Sequence, residues 1–157
     1  MCDAVSLTVR DLPTKYHDHP AIKARLVGRG GEEEVQFYYD RKPNPPLLPI
    51  LLDGQFRIVR WGNRQKLSKV LPHTGRLEIG EVEQGCWHNT DAQEVTIMAN
   101  VALHRGVWFP VLEGIRGLYV LDEHGTPTVF MLMGAPTDYY QIMTKSKTMP
   151  LLIGEVI

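Results

Sequence analysis

Two apolar-rich runs, Leu47–Leu52 and Gln55–Trp61, flank the dipeptide Asp53-Gly54. Asp-Gly tolerates two successive residues at positive φ, so this pattern predicts a β-hairpin closed by a type I′ turn. A second hairpin is expected around residues 122–125, joining strands over 117–121 and 128–133. Residues 35–39 read as a further strand, and Pro43, Pro45 and Pro46 then force an extended or turning path. The closing run 151–153 reads as a buried strand. Helical signals are fewer. A short helix is expected over 20–27, closed by Gly28, Gly30 and Gly31, with Glu32, Glu33 and Glu34 in a loop. Val95, Met98, Val101 and Ala102 form an apolar stripe, and Thr90 with Gln93 makes a capping-box pattern; together they predict an amphipathic helix over 91–104. A shorter helix carrying Tyr140, Ile142 and Met143 starts after Thr137. The sum is a β-rich α+β fold in one domain over 1–157. Its antiparallel sheet is curled and partly barrel-like, with a few flanking helices.

Composition adds limits. The chain has 157 residues, 43% hydrophobic and 22% charged, enough apolar content for one globular core. No apolar run reaches membrane-spanning length and no signal-peptide pattern opens the chain, so no membrane partner and a cytoplasmic location are expected. Cys2 and Cys86 make no disulfide framework. The net charge is −1, but Arg57, Arg60, Arg64, Lys66, Lys69 and Arg76 fall in a stretch without Asp or Glu. That asymmetry suits either a local anion-binding groove or a solvated basic face.

Candidate chemistry begins at Cys2, directly behind Met1. Aminopeptidases remove an initiator Met that precedes a small side chain. Cys2 would then carry a thiol and a free α-amine, which titrate near pH 8.5 and 8 in model compounds. Such a 1,2-aminothiol condenses with an aldehyde through a Schiff base and closes to a thiazolidine; an internal cysteine cannot. Metal chemistry is weaker. His17 with His19, and Cys86 with His88, are spaced two apart, but neither pair has a second pair at zinc-finger spacing, so no metal and no cofactor are expected. There is no phosphate-binding glycine motif and no G-x-S-x-G elbow. Arg60-Trp61-Gly62 ends a strand inside the basic stretch. It suits either a Trp that caps the core or one that stacks on bases of single-stranded nucleic acid.

The ordered set is Met1-Cys2, a proline-rich extended segment with Pro46 and Pro49, Arg60-Trp61-Gly62, Arg76-x-Glu78, the turn at Pro110 and Gly114, and Met149-Pro150 before an apolar run. It resembles the SOS-response-associated peptidase (SRAP) family across nearly the whole chain. The resemblance implies abasic-site processing in the DNA damage response. An N-terminal cysteine attacks the ring-opened aldehyde in single-stranded DNA and leaves a thiazolidine DNA–protein crosslink; a peptidase (hydrolase) activity is also attributed to the family. On this reading Cys2 is the nucleophile. Arg60, Trp61 and Arg76 line a DNA groove, joined by the cations Lys145 and Lys147. The family's catalytic Glu and His fall on Gly117 and Ser146, the Asn of its Asn-Ala-Arg-x-Glu on Thr74, and its glycine after the cysteine on Asp3. Because the Glu and His are replaced, Glu78 and Glu113 are the substitute carboxylates, and His73 or His104 the substitute bases. The alternatives are a catalytically eroded fold that only binds DNA or protein, and an interaction module unrelated to DNA.

Overall fold

The computed structural model describes residues 2–29, 32–84 and 91–154. Its centre is a closed five-stranded barrel. The first two strands of that barrel are the predicted hairpin, β4 (Leu47–Leu52) and β5 (Gln55–Trp61), in register from Leu52↔Gln55 to Leu47↔Arg60. Asp53 and Gly54 sit at φ 51° and 76°, as the type I′ turn requires. The second predicted hairpin forms β10 (Ile115–Leu121) and β11 (Pro127–Gly134). β7 (Gln93–Ile97) pairs antiparallel with both β4 and β10. Closure comes from β5 and β11, which run parallel through Thr128↔Arg60 and Val129↔Trp61. β6 (Arg76–Glu78) joins the free part of β11, also in parallel, and β12 (Met149–Pro150) pairs with its end.

A second, wholly antiparallel sheet packs on the barrel in the order β2 (Leu26–Arg29), β3 (Glu32–Tyr38), β1 (Ala4–Thr8), β8 (Val101–His104) and β9 (Val107–Pro110). One core cluster fills the space between them and includes Cys2, Phe37, Ile50, Trp61, Ile97 and Tyr140. A smaller cluster of Leu77, Leu118, Val120, Phe130 and Leu132 lies on the opposite face of β11. The helices are short: α1 (Pro20–Lys23), α2 (Ile79–Glu83) and α3 (Asp138–Thr144). Among the described residues, no helix is long and apolar enough to cross a membrane.

Four expectations are corrected. The helix over 91–104 is instead β7, a bend at Met98–Asn100 and β8. Burial alternates along it, with Val95, Ile97, Ala102 and His104 inward and Thr96, Val101 and Leu103 less buried, so the period is 2 rather than 3.6. Thr90 of the capping box lies outside the described residues. The helix over 20–27 ends at Lys23, and Val27 and Gly28 belong to β2. Glu32, Glu33 and Glu34 form the start of β3 rather than a loop: Arg10 donates to Glu32 at 2.8 Å and Ser6 to Glu34 at 3.3 Å, so the strand carries its acids on partners. The final run 151–153 is half-buried, tied by Leu151 N–H to Leu132 O (3.0 Å) and Ile153 N–H to Gly114 O (2.9 Å) rather than forming a strand of its own.

Candidate functional site around Cys2

The chain start is bound into the second sheet. Asp3 N–H donates to Leu103 O at 2.6 Å, Tyr39 N–H donates to Asp3 O at 3.1 Å, and the Asp3 carboxylate accepts from Arg105 N–H at 2.9 Å. Cys2 is thereby turned into the core. It has no exposed surface, and its Sγ–H donates to Ala4 O at 3.3 Å. Burial pushes the thiol up to about 12.

Two polar side chains share this corner. His104 is the last residue of β8, on the inward alternation with Ala102, and is only 3% exposed. Tyr140 is fully buried and belongs to the first turn of α3, where the Thr137 hydroxyl accepts from the Tyr140 N–H at 3.2 Å and so fixes the helix start. Tyr140 sets its ring edge-on to Phe109, with centroids 5.3 Å apart, and its hydroxyl forms a short hydrogen bond with His104 Nδ1. Burial lowers His104 to about 4, and the nearby cations Arg105 and Arg76 add to the effect. Burial also raises the Tyr140 phenol, with the Cys2 and Asp3 charges acting in the same direction. At neutral pH, therefore, thiol, imidazole and phenol are all uncharged.

Cations stand at the rim. Arg76 is exposed at the start of β6, opposite Met131. Leu77 and Leu132 pack into the smaller cluster, so strand alternation turns Arg76 and Glu78 to the face of Met131 and Met133, which belong to the Cys2 core. Glu78 is half-buried and precedes α2. Arg105 is exposed in the β8–β9 turn, and its guanidinium donates to Lys145 O at 2.9 Å. Lys145, at φ 60°, ends α3; Lys147 follows, and both are exposed beside Gln141 and Ile142 in a shallow groove.

Other predicted site residues lie elsewhere. Glu113 is at the opposite end of β1, in a shallow cleft with Leu7, Asp11 and Asn100. Since Asp3 bonds Leu103 and Thr8 bonds Asn100, the length of β1 separates Glu113 from Cys2, roughly 15–20 Å. Glu113 is therefore not a partner of Cys2. His73 bonds Arg64 O at 2.7 Å on the exposed surface. Trp61 has no exposed surface; its indole N–H donates to Gly75 O at 3.0 Å and its ring meets Tyr39 edge-on. It presents no face on which a base could stack. Arg60 is paired with the buried Asp122 at 2.9 Å and with the Thr128 hydroxyl at 2.7 Å. Gly62, at φ 64°, lies so close to the Thr74 carbonyl that a Cβ there would collide with it. Arg60, Trp61 and Gly62 thus anchor the 63–75 loop whose end delivers Arg76.

The positions that the SRAP resemblance assigns to the catalytic Glu and His are filled. A Cβ on Gly117 would lie 3.0 Å from the Ile97 and Val129 side chains, so the barrel interior fills that place. Ser146 is buried, its hydroxyl donating to Thr148 O at 2.8 Å. The Thr74 hydroxyl accepts from Arg76 N–H at 3.3 Å. His17 bonds Leu12 O, His19 caps α1, and Cys86 and His88 lie outside the described residues. Among the described residues, no group of three or more His, Cys, Asp or Glu comes together in a way that could hold a metal ion. Tyr140 is the site residue that sequence patterning missed: a tyrosine in a short apolar helix carries no sign that its hydroxyl faces inward. For His104 the signal was its place two residues beyond Ala102 on one strand face.

Compared with family models, curated proteins and solved structures, the chain matches none.

Proposed function

We propose that this is a divergent SRAP-type domain that binds single-stranded DNA and captures abasic-site aldehydes on Cys2. The observation that carries the reading is the enclosed corner at the chain start, where Cys2 lies with His104 and Tyr140 behind a rim of Arg76, Arg105, Lys145 and Lys147. The reading requires Cys2 to be the mature amino terminus. Its amine then attacks the aldehyde carbon and water leaves to give an imine. Sγ adds to the imine carbon while the thiol proton passes to nitrogen, so the step needs no oxidant or reductant. The rim cations neutralise DNA phosphates, a role that falls to Arg76, Lys145 and Lys147 together with Arg105, because Arg60 and Trp61 are committed to the interior.

The test is incubation with single-stranded DNA containing one abasic site, followed by denaturing electrophoresis. The expected result is a heat-stable shifted band that Cys2→Ala abolishes. Wild type giving no more adduct than Cys2→Ala would sink the covalent reading.

A catalytically eroded DNA binder is the second reading. It is favoured by the complete burial of Cys2 and by the closed positions of Gly117 and Ser146. Intact-mass measurement separates the two. A retained Met1 blocks the α-amine and leaves only the binder, whereas a mature chain beginning at Cys2 keeps the aminothiol.

A further inference from the structure

A histidine hydrogen-bonded to a tyrosine inside an apolar core needs a reason. The net gain from such a hydrogen bond is small, and an apolar pair of the same shape would fill the space as well. The pair lies where the chain start enters, and the two positions to which the resemblance assigns proton handling hold a glycine packed against Ile97 and Val129 and a serine closing a turn. Tyr140 from α3 bonds His104, and the charged groups acting on the ring are Asp3 from the chain start, Arg105 from the β8–β9 turn and Arg76 from β6. Cys2 shares a core cluster with Tyr140, and the residue after it, Asp3, bonds Leu103, the neighbour of His104.

The Tyr140 hydroxyl and His104 Nδ1 share one hydrogen bond, and the proposal assigns its proton to the hydroxyl, which leaves the ring proton of His104 on Nε2. His104 therefore holds one proton to give, and it gains an acceptor nitrogen when the Tyr140 hydroxyl rotates away.

We propose that His104, oriented by Tyr140, is the catalytic residue that moves the protons of aldehyde capture at Cys2. The inference rests on the reading of Cys2 as the aldehyde-capturing nucleophile. Capture needs two proton movements: one to the hydroxyl that departs as water when the imine forms, and one from sulfur to nitrogen when the ring closes. Nε2–H supplies the first, and the proton that nitrogen sheds as the C=N bond forms returns to Nε2. The second begins at a thiol that burial keeps protonated at neutral pH, so an acceptor must be in place when sulfur attacks. His104 takes that proton and returns it to nitrogen, ending in its starting state. Tyr140 acts through His104 and is a positioning residue.

The experiment uses the full chain, with loss of Met1 confirmed by intact mass. Adduct formation is timed with abasic single-stranded DNA and with glycolaldehyde for wild type, Cys2→Ala, His104→Gln, His104→Ala and Tyr140→Phe. His104→Gln should slow capture by on the order of 10²-fold without changing affinity for a non-reactive abasic analogue. Added imidazole should restore part of the rate of His104→Ala, which a merely structural histidine would not allow. Nitrogen-15 NMR of wild type should show a neutral His104 with its proton on Nε2, and Tyr140→Phe should raise the pH at which that ring protonates. If wild type gives a Cys2-dependent adduct and the His104 variants match its rate, the assignment fails while the reading of Cys2 stands. If wild type gives no such adduct with either aldehyde, the reading fails and the assignment falls with it. Should the variants not fold, wild-type NMR decides: an Nδ1-protonated or charged ring at neutral pH overturns the assignment.

Discussion

Burial in one apolar corner holds Cys2 protonated and His104 deprotonated, and the histidine half of that statement has a consequence for stability. The unfolded imidazole titrates near 6.5, whereas the folded one does so at about 4. Between those values the unfolded chain binds the extra proton, so stability is fully present above 6.5 and is lost as pH falls toward 4. The decline should fall within that window. Chemical denaturation of wild type against His104→Gln reads it: the variant should lack this acid-side decline, and parallel pH profiles would contradict the burial account. The candidate chemistry of Cys2 was legible because it depends only on position next to Met1; the burial of its thiol was not. Trp61 was not. An indole beside arginines reads the same whether it stacks on a base or donates inward, and only the Gly75 carbonyl at 3.0 Å decides.

The elements were legible where turn chemistry was local. Asp53-Gly54 specified one hairpin, and the 122–125 turn specified the other; there Asp122 accepts from the N–H groups of His124 and Thr126, both at 2.8 Å. The stretch 91–104 was misread because four apolar residues happened to fit helical spacing, while β-branched Val95, Thr96 and Ile97 and the alternation beyond the bend fit a strand. The parallel β5–β11 pairing that closes the barrel joins residues 68 apart, which no local pattern announces. β10 also carries a test of the SRAP reading. If Gly117 were merely a lost catalytic glutamate, restoring it would help. The Ile97 and Val129 side chains leave no room, so Gly117→Glu should destabilise the barrel by at least about 3 kcal/mol through overpacking and a buried carboxylate. A thermal melt matching wild type, with faster aldehyde capture, would contradict that.

Across the whole molecule a net charge of −1 hides a local cationic rim, so DNA affinity should depend steeply on salt despite the neutral average. Replacing Lys145 and Lys147 by Ala should flatten the slope of log affinity against log salt by about 0.7 per lost phosphate contact. Arg60→Ala should leave the slope unchanged and lower the melting temperature, because it strands the buried Asp122. Equal slopes for wild type and the double lysine variant would move the DNA path away from α3. The architecture is a closed barrel with a second sheet that carries the chain start into the shared core. The direct measurement is intact mass of the mature protein before and after incubation with abasic single-stranded DNA. The account predicts a chain beginning at Cys2 that gains the mass of the DNA less one water, with Cys2→Ala gaining nothing. A chain that keeps Met1, or a wild type that gains no more than Cys2→Ala, would contradict it.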